Sequence, residues 1–183
     1  MRVDTLLKQF KSLETQRLFL RPFTRKDFTA LYLIYRNPEV MRYIGKGART
    51  KEEVLAELNG FIKHWEEHSF GPLAIIYKES GKLIGRSGLY RNDRSPFAEL
   101  GYVLDLPYHG QGFGIEVAKA SLEYGFKQLE LDQIVAFAMP ENLPSRHILG
   151  KKLGMRCISE DFDYSQRKYA FYSISRAEYL AQG

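Results

Sequence analysis

Residues 99–114 read ELGYVLDLPYHGQGFG. A strand-like apolar run enters a turn with glycine at 110, 112 and 114, and a helical pattern starts at Ile115. Glycines at this spacing let backbone approach a ligand without a Cβ in the way. A helix starting there aims its free N–H groups and the positive end of its dipole at whatever fills the turn. The simplest occupant is a phosphate. The stretch therefore fixes a strand–loop–helix junction that holds a phosphate-bearing ligand.

Two familiar phosphate ligands do not fit. The dinucleotide fingerprint G-x-G-x-x-G needs glycine where Ile115 stands after Gly110-Gln111-Gly112. A Walker A loop needs Lys-Ser/Thr after the last glycine, and Gly114 is followed by Ile115-Glu116. The net charge of +5 favours anionic ligands, but no nucleic-acid motif accompanies it, so direct nucleic-acid binding is not expected. The one cysteine, Cys157, excludes an internal disulfide framework and fits a reducing compartment. Its neighbours Met155 and Ile158 suggest that it is buried. No apolar run reaches the ~20 residues that span a bilayer. The opening MRVDTLLKQFKSLE carries charges inside its apolar stretch, so it is not a signal peptide. These features predict a cytoplasmic protein with no membrane partner.

Along the chain, residues 1–14 read as a short helical extension before a single domain over 15–183. RLFLRP at 17–22 reads as a first strand. Thr24 with Asp27, and Thr50 with Glu53, have capping-box spacing and open two helices. The first turns Leu31, Leu33, Ile34 and Tyr35 inward. The second, over about 51–68, turns Leu55, Leu58, Phe61, Ile62 and Trp65 inward. Strands follow at 72–78, 82–90 and 98–104, the first two joined by a Glu79-Ser80-Gly81 hairpin turn. A helix to about Gln128, a buried strand at 134–139, a helix over about 143–153 and two strands near 155–163 and 167–175 complete the order. This is an α+β pattern: about seven mostly antiparallel strands with one crossover helix leading to a parallel neighbour.

The run ELGYVLDLPYHGQGFGIEVAKASLEYGF, followed by AFAMPENLPSRHILGKKLGM, resembles the GNAT superfamily of acetyl-CoA-dependent N-acetyltransferases. The opening ETQRLFLRPFTRKDF resembles its ribosomal-protein N-acetyltransferase branch, and the likeness extends from Leu13 to about Ser175. The resemblance implies the GNAT fold, with a splayed parallel strand pair at the coenzyme. It implies that amides of His109, Gly110, Gln111, Gly112, Phe113 and Gly114 hold the pyrophosphate of acetyl-CoA. His109 stands where the family pattern has Gln or Arg. It also implies that an amide among Tyr102, Val103 and Leu104 faces the thioester. By the same likeness Asn142 bonds the coenzyme arm, and Ser145 is the proton donor to the leaving thiolate. Leu149 stands where many members have a tyrosine. Arg146 is the candidate for the coenzyme's 3′-phosphate. One extra residue near Gly150-Lys151, relative to the family, should shift the helix phase or bulge out. No metal is implied.

Acetyl transfer to an amine needs a route for the amine proton, since an α-amine titrates near ~8 and a lysine amine near ~10.4. Strand alternation puts Glu99 on one face with Gly101 and Val103. A carboxylate in an apolar strand makes Glu99 the candidate general base. Its bland alternative is an ion pair with Arg86 or Arg91. The acceptor implied by the branch is a protein N-terminal α-amine. Small amines such as polyamines, amino acids or antibiotics are the alternative, and a catalytically inactive coenzyme-A-binding module is another. The acceptor groove is expected along residues 24–68 and near Asp161 to Arg167, where Asp161 and Asp163 would attract a cationic amine. A homodimer is compatible with all of this.

Overall fold

A computed structural model of the chain describes residue 10 and residues 12–182. Its centre is an eight-stranded sheet in the order β1-β2-β3-β4-β5-β6-β8-β7. The strands are β1 (Leu13–Glu14), β2 (Leu18–Pro22), β3 (Pro72–Tyr77), β4 (Leu83–Asn92), β5 (Ser95–Leu104), β6 (Gln133–Ala138), β7 (Arg156–Tyr164) and β8 (Arg167–Ser175). Every neighbouring pair is antiparallel except β5 and β6, the pair joined through the crossover helix. The eighth strand is β1, two residues paired with β2 and too short to show alternation. Leu13 and Glu14 are thus extended where a helix was expected. Most of that expected helix lies outside the described residues.

Both capping boxes form. Thr24 N–H donates to Asp27 Oδ2 at 2.7 Å, and Asp27 also takes a two-pronged bond from Arg21 at 2.8 Å. Thr50 N–H donates to Glu53 Oε2 at 2.9 Å. They precede α1 (Phe28–Tyr35) and α2 (Lys51–His68). These helices bury Leu31, Ile34, Tyr35, Val54 and Leu58 against Ala74 and Val103 of the sheet. Leu33 and Leu55 are exposed, which corrects the expected apolar faces. On α2 the buried stripe runs through Val54, Leu58 and Trp65, one residue round from Leu55.

The opposite sheet face receives α3 (Phe113–Lys127), whose Val117, Ala118 and Leu122 pack with Leu89, Leu100 and Leu104. After β6 come α4 (Leu143–His147), a π turn over Ile148–Lys152, β7, β8 and α5 (Arg176–Leu180). The π turn is closed by Leu153 N–H bonding to Ile148 C=O at 3.0 Å. It takes up an extra residue where one was expected to bulge. Cys157 corrects another expectation: it is exposed, because β7 is the outer strand of the sheet. Among the described residues no helix is long and apolar enough to cross a membrane.

His64 joins α2 to the sheet. Arg91 N–H donates to its Nε2 at 2.9 Å, and its Nδ1 lies 2.8 Å from Phe70 C=O. These partners fit the neutral ring carrying hydrogen on Nδ1. Burial, with a smaller push from His68, holds its pKa below the ordinary histidine value. The unfolded chain therefore takes up the proton first on acidification. The stability this site contributes is present above the unfolded pKa, near ~6.5, and is lost as pH falls from there through the folded pKa. Thermal midpoints measured from pH 7.5 to 5.5 should fall, and His64→Gln should flatten that slope. An equal slope in the variant rejects the assignment.

Candidate active site

The glycine turn is built as a cradle. Gly110 and Gly112 have φ of +71° and +82°, a region that side chains rarely adopt. Gly112 is the N-cap of α3, so the helix begins at Phe113, two residues earlier than the apolar pattern suggested. Its first internal bond runs from Glu116 N–H to Gly112 C=O, which leaves the preceding amides pointing out of the helix end. Gly114 serves a different purpose. A Cβ there would lie 3.3 Å from Ile148 Cδ1, so its bareness lets α3 approach the π turn.

Arg17 straps this loop in place, a role the sequence did not reveal. Its Nε donates to Glu116 Oε2 at 2.7 Å and its Nη1 to Gln111 C=O at 3.0 Å. Its guanidinium lies 3.9 Å above the Phe113 ring. Since the peptide is trans, fixing Gln111 C=O toward Arg17 turns Gly112 N–H the opposite way, out of the loop. Burial alone would raise the Glu116 pKa, but hydrogen bonds from Thr15 and Arg17 hold it below the ordinary carboxylate value. The acid in the first helical turn is therefore committed to Arg17.

Next to the loop the sheet opens. β5 and β6 pair only at Ala98–Ile134 and Glu99–Val135 and then part. The β4–β5 register is continuous from Glu99 to Leu104, and Asp105 N–H bonds Ile84 C=O at 2.8 Å. Alternation then sends the N–H groups of Tyr102 and Leu104 away from β4, toward the gap. His109, expected to meet phosphate, instead sets its Nε2 2.8 Å from Leu104 C=O, which occupies the carbonyl on the gap side.

Facing α1 and α2 is a buried polar layer. Glu99 is 3% exposed. Its Oε1 accepts from Tyr90 Oη at 2.6 Å and from Arg94, and its Oε2 accepts from Asn92. Its ion-pair partner is Arg94, neither Arg86 nor Arg91. On the other face of β5, Tyr102 Oη lies 3.0 Å from Ser145 Oγ. Burial pushes the Tyr102 phenol up to about 12, against the opposing Ser145 bond, so it keeps its proton at neutral pH. Asn142 caps α4: its Oδ1 accepts Ser145 N–H at 3.2 Å, which leaves its NH2 free to donate elsewhere.

A groove of about 1260 Å³ joins these parts. It is larger than the ~300–1,000 Å³ of a pocket for one drug-sized ligand, as a long co-substrate and a second reactant require. Glu99, Tyr102, Leu104, Gly110, Asn142 and Ser145 line it, together with Val103, His109, Gly112 and Gly114. The side chains of Gln111, Phe113 and Arg146 do not. Gln111 donates to Pro107 C=O at 2.6 Å, and Phe113 is in the core. Arg146 is tied to Tyr172 Oη, Pro140 C=O and Glu160. Asp161 and Asp163 are also elsewhere: Asp163 pairs with Lys168 at 2.6 Å on β8, whereas Tyr164, Ser165 and Arg167 reach the groove.

The anion cradle at the start of α3 opens into the gap between the parted parallel strands, the arrangement that the resemblance to acetyl-CoA-dependent N-acetyltransferases implied. Residues 17–156 match the family described as acetyltransferase (GNAT) domain. The chain belongs to the GNAT acetyltransferase family. It is 35% identical to the uncharacterised N-acetyltransferase YnaD of Bacillus subtilis (strain 168), over 78% of this chain and 81% of that protein. It is 28% identical to the spermidine N(1)-acetyltransferase of Escherichia coli (strain K12), over 89% and 88%. The structure of a GNAT-family acetyltransferase from Bacillus anthracis superposes with a TM-score of 0.78 at 26% identity, covering 92% of this chain and 100% of that one. Two further structures share the fold. One is the ribosomal-protein-S5-alanine acetyltransferase of Vibrio fischeri (TM-score 0.75, 20% identity, 92% and 98% covered). The other is the spermidine N-acetyltransferase of Vibrio cholerae in complex with CoA and spermine (TM-score 0.73, 22% identity, 91% and 99% covered). The protein is thus an N-acetyltransferase of the GNAT type.

Proposed function

We propose that this chain acetylates an α-amine by direct attack on acetyl-CoA, both reactants being held in the one groove. Bound acetyl-CoA supplies the activated acetyl thioester. The amides of residues 110–114 hold its pyrophosphate, and Asn142 Nδ2 bonds its arm. The N–H groups of Tyr102 and Leu104 receive the charge developing on the thioester oxygen; one such donor is worth roughly 3–4 kcal/mol of barrier. Ser145 protonates the departing thiolate, its own oxygen accepting from Tyr102. Glu99 takes the ammonium proton through Oε2, which accepts only Asn92 among the described residues.

The observation that favours an α-amine over a polyamine is the charge of the groove wall. Its basic side chains are Arg42, Lys46, Arg86, Arg94 and Arg167, of which Lys46 is paired with Glu53. Its acidic ones are Glu39, Asp93 and Glu99, the last already paired with Arg94. A cationic wall repels a polycation and favours the neutral form of an amine. An amine titrating near ~8 loses its proton there far more readily than one near ~10.4. The test is thiol release from acetyl-CoA on matched acceptors: short peptides with a free N-terminus, the same peptides N-terminally blocked but carrying lysine, and spermidine. Turnover confined to free N-termini or other α-amines supports the proposal. Preference for spermidine overturns it.

A further inference from the structure

Arg86 lies in the middle of β4, opposite Val103 in register, and is only 7% exposed. Its Nε donates to Tyr35 Oη at 2.6 Å. Unlike Arg21, Arg94 and Arg49, it has no carboxylate within 4.0 Å among the described residues. The two phenols beside it, Tyr35 and Tyr90, are both pushed up by burial and stay neutral. Glu57 shares with Arg86 a second cavity of about 180 Å³ under α2, but its carboxylate is held by Arg49 at 3.6 Å. A buried, unpaired charge costs several kcal/mol in general, so this guanidinium calls for an anion.

The terminal nitrogens of Arg86 make no hydrogen bond to the described residues. They are not sealed off either, because every fully buried side-chain nitrogen or oxygen among those residues has a partner. Nη1 fronts the large groove at Gly101. A Cβ on Gly101 would lie 3.5 Å from Arg86 Nη1 and 2.9 Å from the Tyr90 ring. Gly101 therefore keeps open a window from the groove to the guanidinium. The next residue, Tyr102, turns its N–H into the gap where the acetyl group is transferred. Neighbouring Cα atoms lie ~3.8 Å apart, so an anion on Arg86 and an amine at the gap belong to one small molecule or one terminal residue.

We propose that Arg86 is the specificity-determining residue of the acceptor site, and that it binds a carboxylate carried by the acceptor a few bonds from the amine. The guanidinium fork suits a planar carboxylate, which a polyamine lacks. Two sources offer this chemistry: a free amino acid, or a peptide beginning with Asp or Glu. The proposal rests on the acetyl-transfer reading above.

The experiment measures thiol release by the full chain with acetyl-CoA and matched acceptors. These are amino acids against their amides, peptides starting with Asp or Glu against those starting with Asn or Gln, and spermidine. A carboxylate preference of about 10- to 100-fold in kcat/KM is expected. The arm that shows it identifies the source. Arg86→Gln should abolish the preference, Arg86→Lys should keep part of it, and both should bind coenzyme A as the wild type does. Equal rates for acid and amide, or a uniform loss across all acceptors in Arg86→Gln, overturn the proposal. Should Arg86→Gln not fold, the wild-type preference decides alone. Should no amine be acetylated, the transfer reading fails separately. Calorimetry of N-acetyl-amino acids against their amides on the coenzyme-A-loaded protein then decides: selective binding of the acids sustains the Arg86 site, and equal or absent binding overturns it.

Discussion

Gly112→Val should weaken coenzyme A binding by about 100-fold and raise the KM for acetyl-CoA in step. Two effects act together. Gly112 sits at φ +82°, where a β-branched residue is strained by about 1–3 kcal/mol. Relief of that strain rotates the peptide and turns the N–H, which the Gln111–Arg17 bond now aims outward, away from the anion. The valine side chain also projects toward the Arg17 guanidinium, 3.6 Å from the Cβ position, and loosens the strap. Titration calorimetry with coenzyme A reads the affinity, and far-ultraviolet circular dichroism confirms the fold. A folded variant with wild-type affinity removes the loop from the coenzyme site. Gly110→Ala is the milder comparison, since its Cβ would meet open space and only the backbone strain applies.

Glu99→Gln should lower kcat at pH 7 by about 100-fold and also destabilise the fold by about 2–4 kcal/mol. Stability falls because the substitution leaves Arg94 facing Tyr90 and Asn92 without its carboxylate. A purely structural residue would show that loss alone. The proton-accepting role adds a readout that packing does not move: activity should recover toward pH 9.5, where an α-amine titrating near ~8 is already neutral. Pairing Glu99→Gln with Arg94→Gln should restore much of the stability, by removing the orphaned charge, and leave the activity low at pH 7. A single variant whose kcat and pH profile match the wild type rules out Glu99 as the base. Stopped thiol assays across pH, with thermal melts alongside, separate the two outcomes.

Much of this arrangement was legible before any coordinates. The glycine turn and the capped helices follow from spacings of a few residues, where local geometry dominates, and the parallel pair follows from a crossover helix between two strands. The partner of Glu99 was not legible. Choosing Arg94 over Arg86 or Arg91 depends on a register shift between Tyr90 and Asn92, which turns Arg94 back over the strand it precedes. Cys157 looked buried from its apolar neighbours Met155 and Ile158, but β7 is an edge strand, and only the strand order shows this. The Arg17 strap joins residues 99 positions apart in sequence. Side-chain contacts over that range leave no periodic trace.

The π turn at Ile148–Lys152 has a consequence for how chains of this kind change length. Leu149, inside the turn, and Leu153, just after it, are both in the core, at 1% and 3% exposure, and the turn is wound one residue wider than an α turn. The wide turn acts as an expansion joint. Residues before it are indexed from Asn142, and those after it are indexed from the Arg156 end of β7. An inserted or deleted residue is absorbed between those two marks, so Ser145 keeps its place opposite Tyr102 and β7 keeps its register with β8.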